Sequence, residues 1–176
     1  MTRSKQPLAA LLAALLFAVT ASCSTNDNNN DDDAADPTPS PESEVEAAYL
    51  AYWEMGARLL EAPDPADPEI PQRTSGEALT NLVNGLTTLK ETDQRSELGR
   101  MYSHDVIGVR VDGASRAEVD DCAVDDSRVV NATTGEVVAE GLVTELLRVT
   151  LIRDDERWLV DHTSRVDAWE GATDCG

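Results

Sequence analysis

Three regimes of hydrophobic patterning follow one another along the chain. Leu8 to Val19 reads LAALLAALLFAV and is apolar without interruption, whereas residues 24 to 42 are Asn, Asp, Pro and Ser with almost nothing to bury. From Ser43 onward the apolar positions become periodic. Val45, Tyr49, Tyr52, Trp53, Gly56, Leu59 and Leu60 recur at helical spacing behind Ser43-Glu44-Val45-Glu46, a capping-box signature. Ala62 to Pro68 holds three prolines and cannot continue that helix. Thr74-Ser75-Gly76-Glu77 reads as a second capping box, and Leu79, Leu82, Val83, Leu86 and Leu89 line one face of the helix it opens.

The period then changes from helical to alternating. Ile107, Val109 and Val111 alternate up to the turn signal Asp112-Gly113. Ala117 and Val119 alternate next, with Cys122 and Val124 out of phase, so a β-bulge is expected around Asp120-Asp121. Ser127 to Asn131 and Glu136 to Glu140 flank Ala132-Thr133-Thr134-Gly135, a hairpin with Gly in the left-handed region. Two long strands close the chain, Leu142 to Arg153 and Arg157 to Val166. The layout predicts an α+β domain over residues 43–176, two N-terminal helices followed by an antiparallel sheet.

The start of the chain carries an address. Arg3 and Lys5 precede the apolar run, and the small residues Thr20, Ala21 and Ser22 follow it, the parts of a secretory signal over residues 1–22. A spanning helix needs about 20 apolar residues, more than this run supplies. Thr20-Ala21-Ser22-Cys23 resembles the lipobox of bacterial lipoproteins, with Thr20 where Leu is usual. That resemblance implies a diacylglyceryl thioether on Cys23, palmitate-type acylation and a lipid bilayer as partner. Two or more chains suffice for lasting anchorage. An ordinary secretory signal with an incidental cysteine is the alternative. Residues 23–42 are then the lipidated N-terminus and a tether that resists folding and spans roughly 25 Å.

Charge and cysteine count narrow the partners. The 176 residues hold 34 acidic and 14 basic side chains, a formal charge of −20. Nucleic acid is excluded on that balance, since phosphate neutralisation needs clustered Lys and Arg. With Cys23 acylated, Cys122 and Cys175 remain as an even pair in an oxidising compartment, where a disulfide is expected.

The ordered set AAYLAYWE, TSGEALTNLVNGLTTL, VRVDG…AEVDDCAVDDS, TGEVV and LRVTLIRDDERWLVDH resembles the NTF2-like superfamily, in its short form on secreted actinobacterial lipoproteins. The resemblance covers nearly all of residues 43–176. It implies a curved sheet wrapped round the helices into a cone with a pocket at its open end. It also implies that Cys122 and Cys175 are a couple.

Catalytic relatives in that superfamily place Asp, His or Tyr inside the cone, so His162, Tyr102 and His104 are the candidates for an isomerase- or dehydratase-like activity. His162 shares a face with Trp158 and Val160 on a regular strand and is expected, with Trp53, to line the pocket. His104 stands before a strand and is expected to be exposed or capping. No nucleotide, hydrolase or zinc motif occurs, so no cofactor or metal is expected. Asp120-Asp121 and Asp125-Asp126 lack calcium-loop spacing. Asn131-Ala132-Thr133 matches a glycosylation acceptor but sits at the hairpin turn.

The leading expectation is a non-catalytic module anchored on the outer face of the cytoplasmic membrane, binding a small apolar ligand or a protein partner. An enzyme of the pocket type and a structural interaction domain are the alternatives.

Overall fold

The computed structural model describes residues 39–175. Cys23, the signal segment and most of the tether lie outside the described residues. Helix α1 runs Pro41–Glu61, α2 Ile70–Arg73 and α3 Gly76–Glu91, followed by seven strands. These are β1 Gln94–Glu97, β2 Ser103–Asp112, β3 Arg116–Asp125, β4 Arg128–Asn131, β5 Val137–Glu140, β6 Val143–Asp154 and β7 Arg157–Glu170.

The expected architecture is corrected in three respects. Three helices lie among the described residues, the short α2 filling the segment before Thr74. Strand residues outnumber helical ones among the described residues, so the domain is predominantly antiparallel β. The strands form two separate sheets, β1-β4-β5 and β2-β3-β6-β7, in place of one curved sheet closed into a cone. The physical reason is the β4–β5 hairpin. It leaves the chain between β3 and β6 and pairs with β1, so β3 is free to take β6 as its neighbour.

Helix α1 begins earlier than the sequence pattern suggests. Ser40 is its N-cap, accepting at 3.2 Å from the Ser43 amide, while the Ser43 hydroxyl donates at 2.8 Å to the Ser40 carbonyl. Pro41 occupies the first turn, where its missing N–H is no loss. Val45, Tyr49, Tyr52, Met55 and Leu59 form the buried stripe. They meet Ala117 and Val119 of β3, Leu147, Val149 and Leu151 of β6, and Val160 of β7. Burying a side chain the size of Leu59 stabilises by roughly 1.5–3 kcal/mol.

Helix α3 attaches along the edge of β7. Thr74 forms a parallel bridge with Val160, the Ser75 amide donates to the Val160 carbonyl at 2.9 Å, and the Ser75 hydroxyl donates to Asp161 at 2.9 Å. Ser75, not Thr74, is the N-cap, and its hydroxyl is spent on the strand rather than on the helix. Gly76 has φ +50°, and a Cβ there would stand 2.2 Å from Asp161 Oδ1. Only glycine permits this approach.

The bulge predicted near Asp120-Asp121 is displaced to the facing strand. In β3 the alternation is unbroken, with Ala117, Val119, Asp121 and Ala123 buried. The register shift lies between Val106 and Gly108 of β2 and leaves Ile107 exposed.

The sheet's far face carries the end of the chain. Cys122 and Cys175 form a disulfide with Cα atoms 5.7 Å apart. Nearby, the buried Thr144 hydroxyl donates to the Gly171 carbonyl at 2.8 Å and accepts from the Thr173 amide at 3.1 Å. Covalent and hydrogen-bonded ties together hold a terminus that would otherwise fray.

Candidate functional site

Unbroken alternation in β3 forces one polar residue into the core. Asp121 is fully buried, and side chains from α1 and β2 converge on it. The Tyr49 hydroxyl donates to Asp121 Oδ2 at 2.5 Å, and His104 Nδ1 lies 2.6 Å from the same oxygen. A carboxylate oxygen only accepts, so facing ionised Asp121 the His104 tautomer with the proton on Nδ1 makes this hydrogen bond. In the neutral ring Nε2 is then an acceptor, and the Tyr102 hydroxyl lies 3.2 Å from it. The Trp53 indole stacks on the His104 ring, centroids 4.0 Å apart and planes at 19°, and Tyr52 meets Trp53 edge-on at 5.1 Å.

This arrangement corrects the expectation for His104, whose side chain is 8% exposed rather than surface-lying or capping. Residues separated by 72 and by 17 positions meet at Asp121. No local pattern signals such a meeting. The available signal was an aspartate in phase with Ala117, Val119 and Ala123 on a core-facing strand.

Electrostatics hold the phenols in their donor state. Burial raises the Tyr49 pKa well above the ordinary phenol range, and the negative charge of Asp121 raises it further. Tyr102 is raised by burial and then by Asp125, and Tyr52 by burial. None is a phenolate base near neutral pH. Two polar atoms of the cluster, Asp121 Oδ1 and Trp53 Nε1, are buried without a protein partner among the described residues.

Proton transfer through Asp121, His104 and Tyr102 needs a substrate at His104 Nε2, the atom Tyr102 covers. Two cavities of the described residues have neither His104 nor Tyr102 in their walls. One, of about 570 Å³, opens between the start of α1, the end of α2 and the β6–β7 hairpin. An apolar groove of about 410 Å³ runs along α3, with Leu60, Leu82, Leu86 and Leu89 in its walls.

The four expected pocket-lining residues do not share a site. Trp53 belongs to the Asp121 cluster, Val160 is a core residue, and Trp158 borders the 570 Å³ cavity. His162 is the clearest correction. A register shift in the β6–β7 ladder pairs Leu151 with Val160 but Thr150 with His162. Leu151 faces the core and Thr150 therefore faces away, so the irregularity at Asp161 turns His162 to the opposite face from Val160. Its side chain is 44% exposed and lies 3.1 Å from Glu77.

The far face of the sheet is ionic. Asp120 accepts from Arg148 at 2.8 Å and from Arg110 at 2.9 Å, and both contacts, Arg148 foremost, hold its carboxyl below the usual range. Among the described residues, no three His, Cys, Asp or Glu are grouped to hold a metal, and no helix is long and apolar enough to cross a membrane.

No family model matches the chain, and no curated protein matches it. Among solved structures, the intermembrane-space region of the chloroplast protein ARC6 is similar, with a TM-score of 0.61 at 13% identity. The match covers 73% of this chain and 98% of that one. At that identity the likeness shows the fold alone.

Proposed function

We propose that the protein is an extracytoplasmic lipoprotein, held to the outer face of the cytoplasmic membrane through acylated Cys23, whose folded domain is a non-catalytic binding module. The observation that carries this reading is the Cys122–Cys175 disulfide, which suits an oxidising compartment. With that pair joined, Cys23 is the remaining cysteine, and it stands where the signal-like segment ends. Binding falls to the surface of the domain, because packing fills the region between α1 and the sheet. The α3 groove suits a small apolar ligand, and the exposed strand β5 suits a protein partner.

Membrane fractionation of the native host tests the anchor. The wild-type chain should sediment with membranes and the Cys23→Ala variant should not. Equal partition of the two would refute the reading. A second reading, acid–base catalysis, is favoured by the Tyr102–His104–Asp121 chain of hydrogen bonds. It ranks behind the first because Tyr102 must leave before a substrate reaches His104.

A further inference from the structure

The 570 Å³ cavity has a chemistry at odds with the rest of this acidic chain. Its walls bring together Ala47 and Ala48 of α1, Arg73 of α2, and Arg153, Arg157 and Trp158 of the β6–β7 hairpin. The alanines leave room that larger side chains would fill. Trp158 is 8% exposed, and the Arg153 guanidinium lies 5.7 Å from its ring centroid, a cation–π distance.

The arginines are not equivalent. Arg73 is held by Glu69 at 2.9 Å, so its charge is largely spent. Arg153 and Arg157 make no ion pair among the described residues, whereas Arg58, Arg110, Arg128, Arg148 and Arg165 all do. Arg153 stands opposite Trp158 in the β6–β7 ladder and Arg157 borders the cavity one position earlier on β7, and guanidinium donors match the oxygens of a phosphate. Glu44 and Glu156 also border the cavity, and neither is paired with these arginines. Trp158 Nε1 is a further buried donor without an acceptor among the described residues.

We propose that this cavity is a binding site for a phosphate monoester or diester carrying a flat or apolar body. The phosphate would be engaged by Arg153, with Arg157 bordering the same cavity, and the body would lie against Trp158, Ala47 and Ala48. The volume is within the roughly 300–1,000 Å³ of small-molecule sites. A soluble phosphate ester and a phospholipid headgroup share this chemistry. The site stands apart from the anchor, since its test reads ligand binding and the anchor's test reads Cys23.

The experiment is calorimetric titration of the full-length protein with phenyl phosphate, with phenol as the neutral counterpart. A parallel arm uses phosphatidylglycerol vesicles against phosphatidylcholine vesicles. Saturable binding of phenyl phosphate, about tenfold or more tighter than phenol, supports the site and marks a soluble ligand. Preference for phosphatidylglycerol alone marks a headgroup. In either arm Arg153→Gln with Arg157→Gln should weaken binding about tenfold, while Arg116→Gln, at an arginine that does not border the cavity, should leave it unchanged. Absence of saturable binding in both arms would overturn the proposal, as would unchanged binding in the double variant. Circular dichroism of that variant checks that its fold is intact.

Discussion

Asp120 and Asp121 are adjacent on β3 and face opposite sides of the sheet. Asp120 lies among arginines at the surface, and Asp121 lies fully buried among two tyrosines, a histidine and a tryptophan. The side chains are chemically identical, so the difference between them belongs to the fold. On the outer face, charge is balanced by flexible side chains in contact with water, where a pair is worth little. On the inner face, each donor and acceptor has been taken from water, and a lost partner leaves its neighbours unsatisfied. Cys122, next along the strand, returns to the outer face and fastens the C-terminus there.

The widest separation between the two faces should appear at Cys122. Joining residues 53 apart stabilises by about 4 kcal/mol in the chain-entropy treatment. The Cys122→Ser, Cys175→Ser variant should lose most of that in urea unfolding, while the Asp121 cluster stays intact in the folded fraction. A loss within error of zero would show that the far face contributes no staple.

Asp121→Ala ranks second, with an expected loss of about 3 kcal/mol, because it strands the Tyr49 hydroxyl and His104 Nδ1 inside the core. Asp121→Asn keeps the acceptor and should cost less than the alanine. Equal costs would mean that the charge, and not the hydrogen bonds, holds the cluster. Trp53 stacks on His104, so its fluorescence should report loosening in both variants.

The smallest effect is on the outer face, where Asp120→Asn should cost at most about 1 kcal/mol near neutral pH. Its signature is in the pH dependence. The folded-state pKa of Asp120 is depressed, so its stabilisation is present above the unfolded value, about 3.9, and is lost as pH falls through the folded value. The variant's stability should therefore fall less than the wild type's below about pH 4. A parallel fall in both proteins would contradict the pairing with Arg148 and Arg110.

The same contrast explains which parts of the fold are legible in the sequence. The disulfide follows from counting cysteines, and α3 and the β4–β5 hairpin follow from local periodicity and turn chemistry. Asp121 defeats that reasoning, because binary patterning assigns aspartate to water. The phase of Cys122 and Val124 suggests a bulge in β3, and the real irregularity is in β2. Its compensation comes from Tyr49 and His104, distant in sequence. His162 fails for the converse reason, since an irregularity at Asp161 reverses a face that simple alternation assigns to the core side. The separation into two sheets depends on β1 pairing with β4, a contact between short strands that carry little pattern of their own.

Charge patterning is most informative where it departs from the average. The chain is acidic overall, yet Arg153 and Arg157 border one cavity without an ion pair among the described residues.

The most direct test of the central claim is the intact mass of the protein purified from its native host without reduction. The expected species is a chain that begins at Cys23, carries a diacylglyceryl group there, and has Cys122 and Cys175 joined. A chain unmodified at Cys23, or one with both domain cysteines as free thiols, would contradict it.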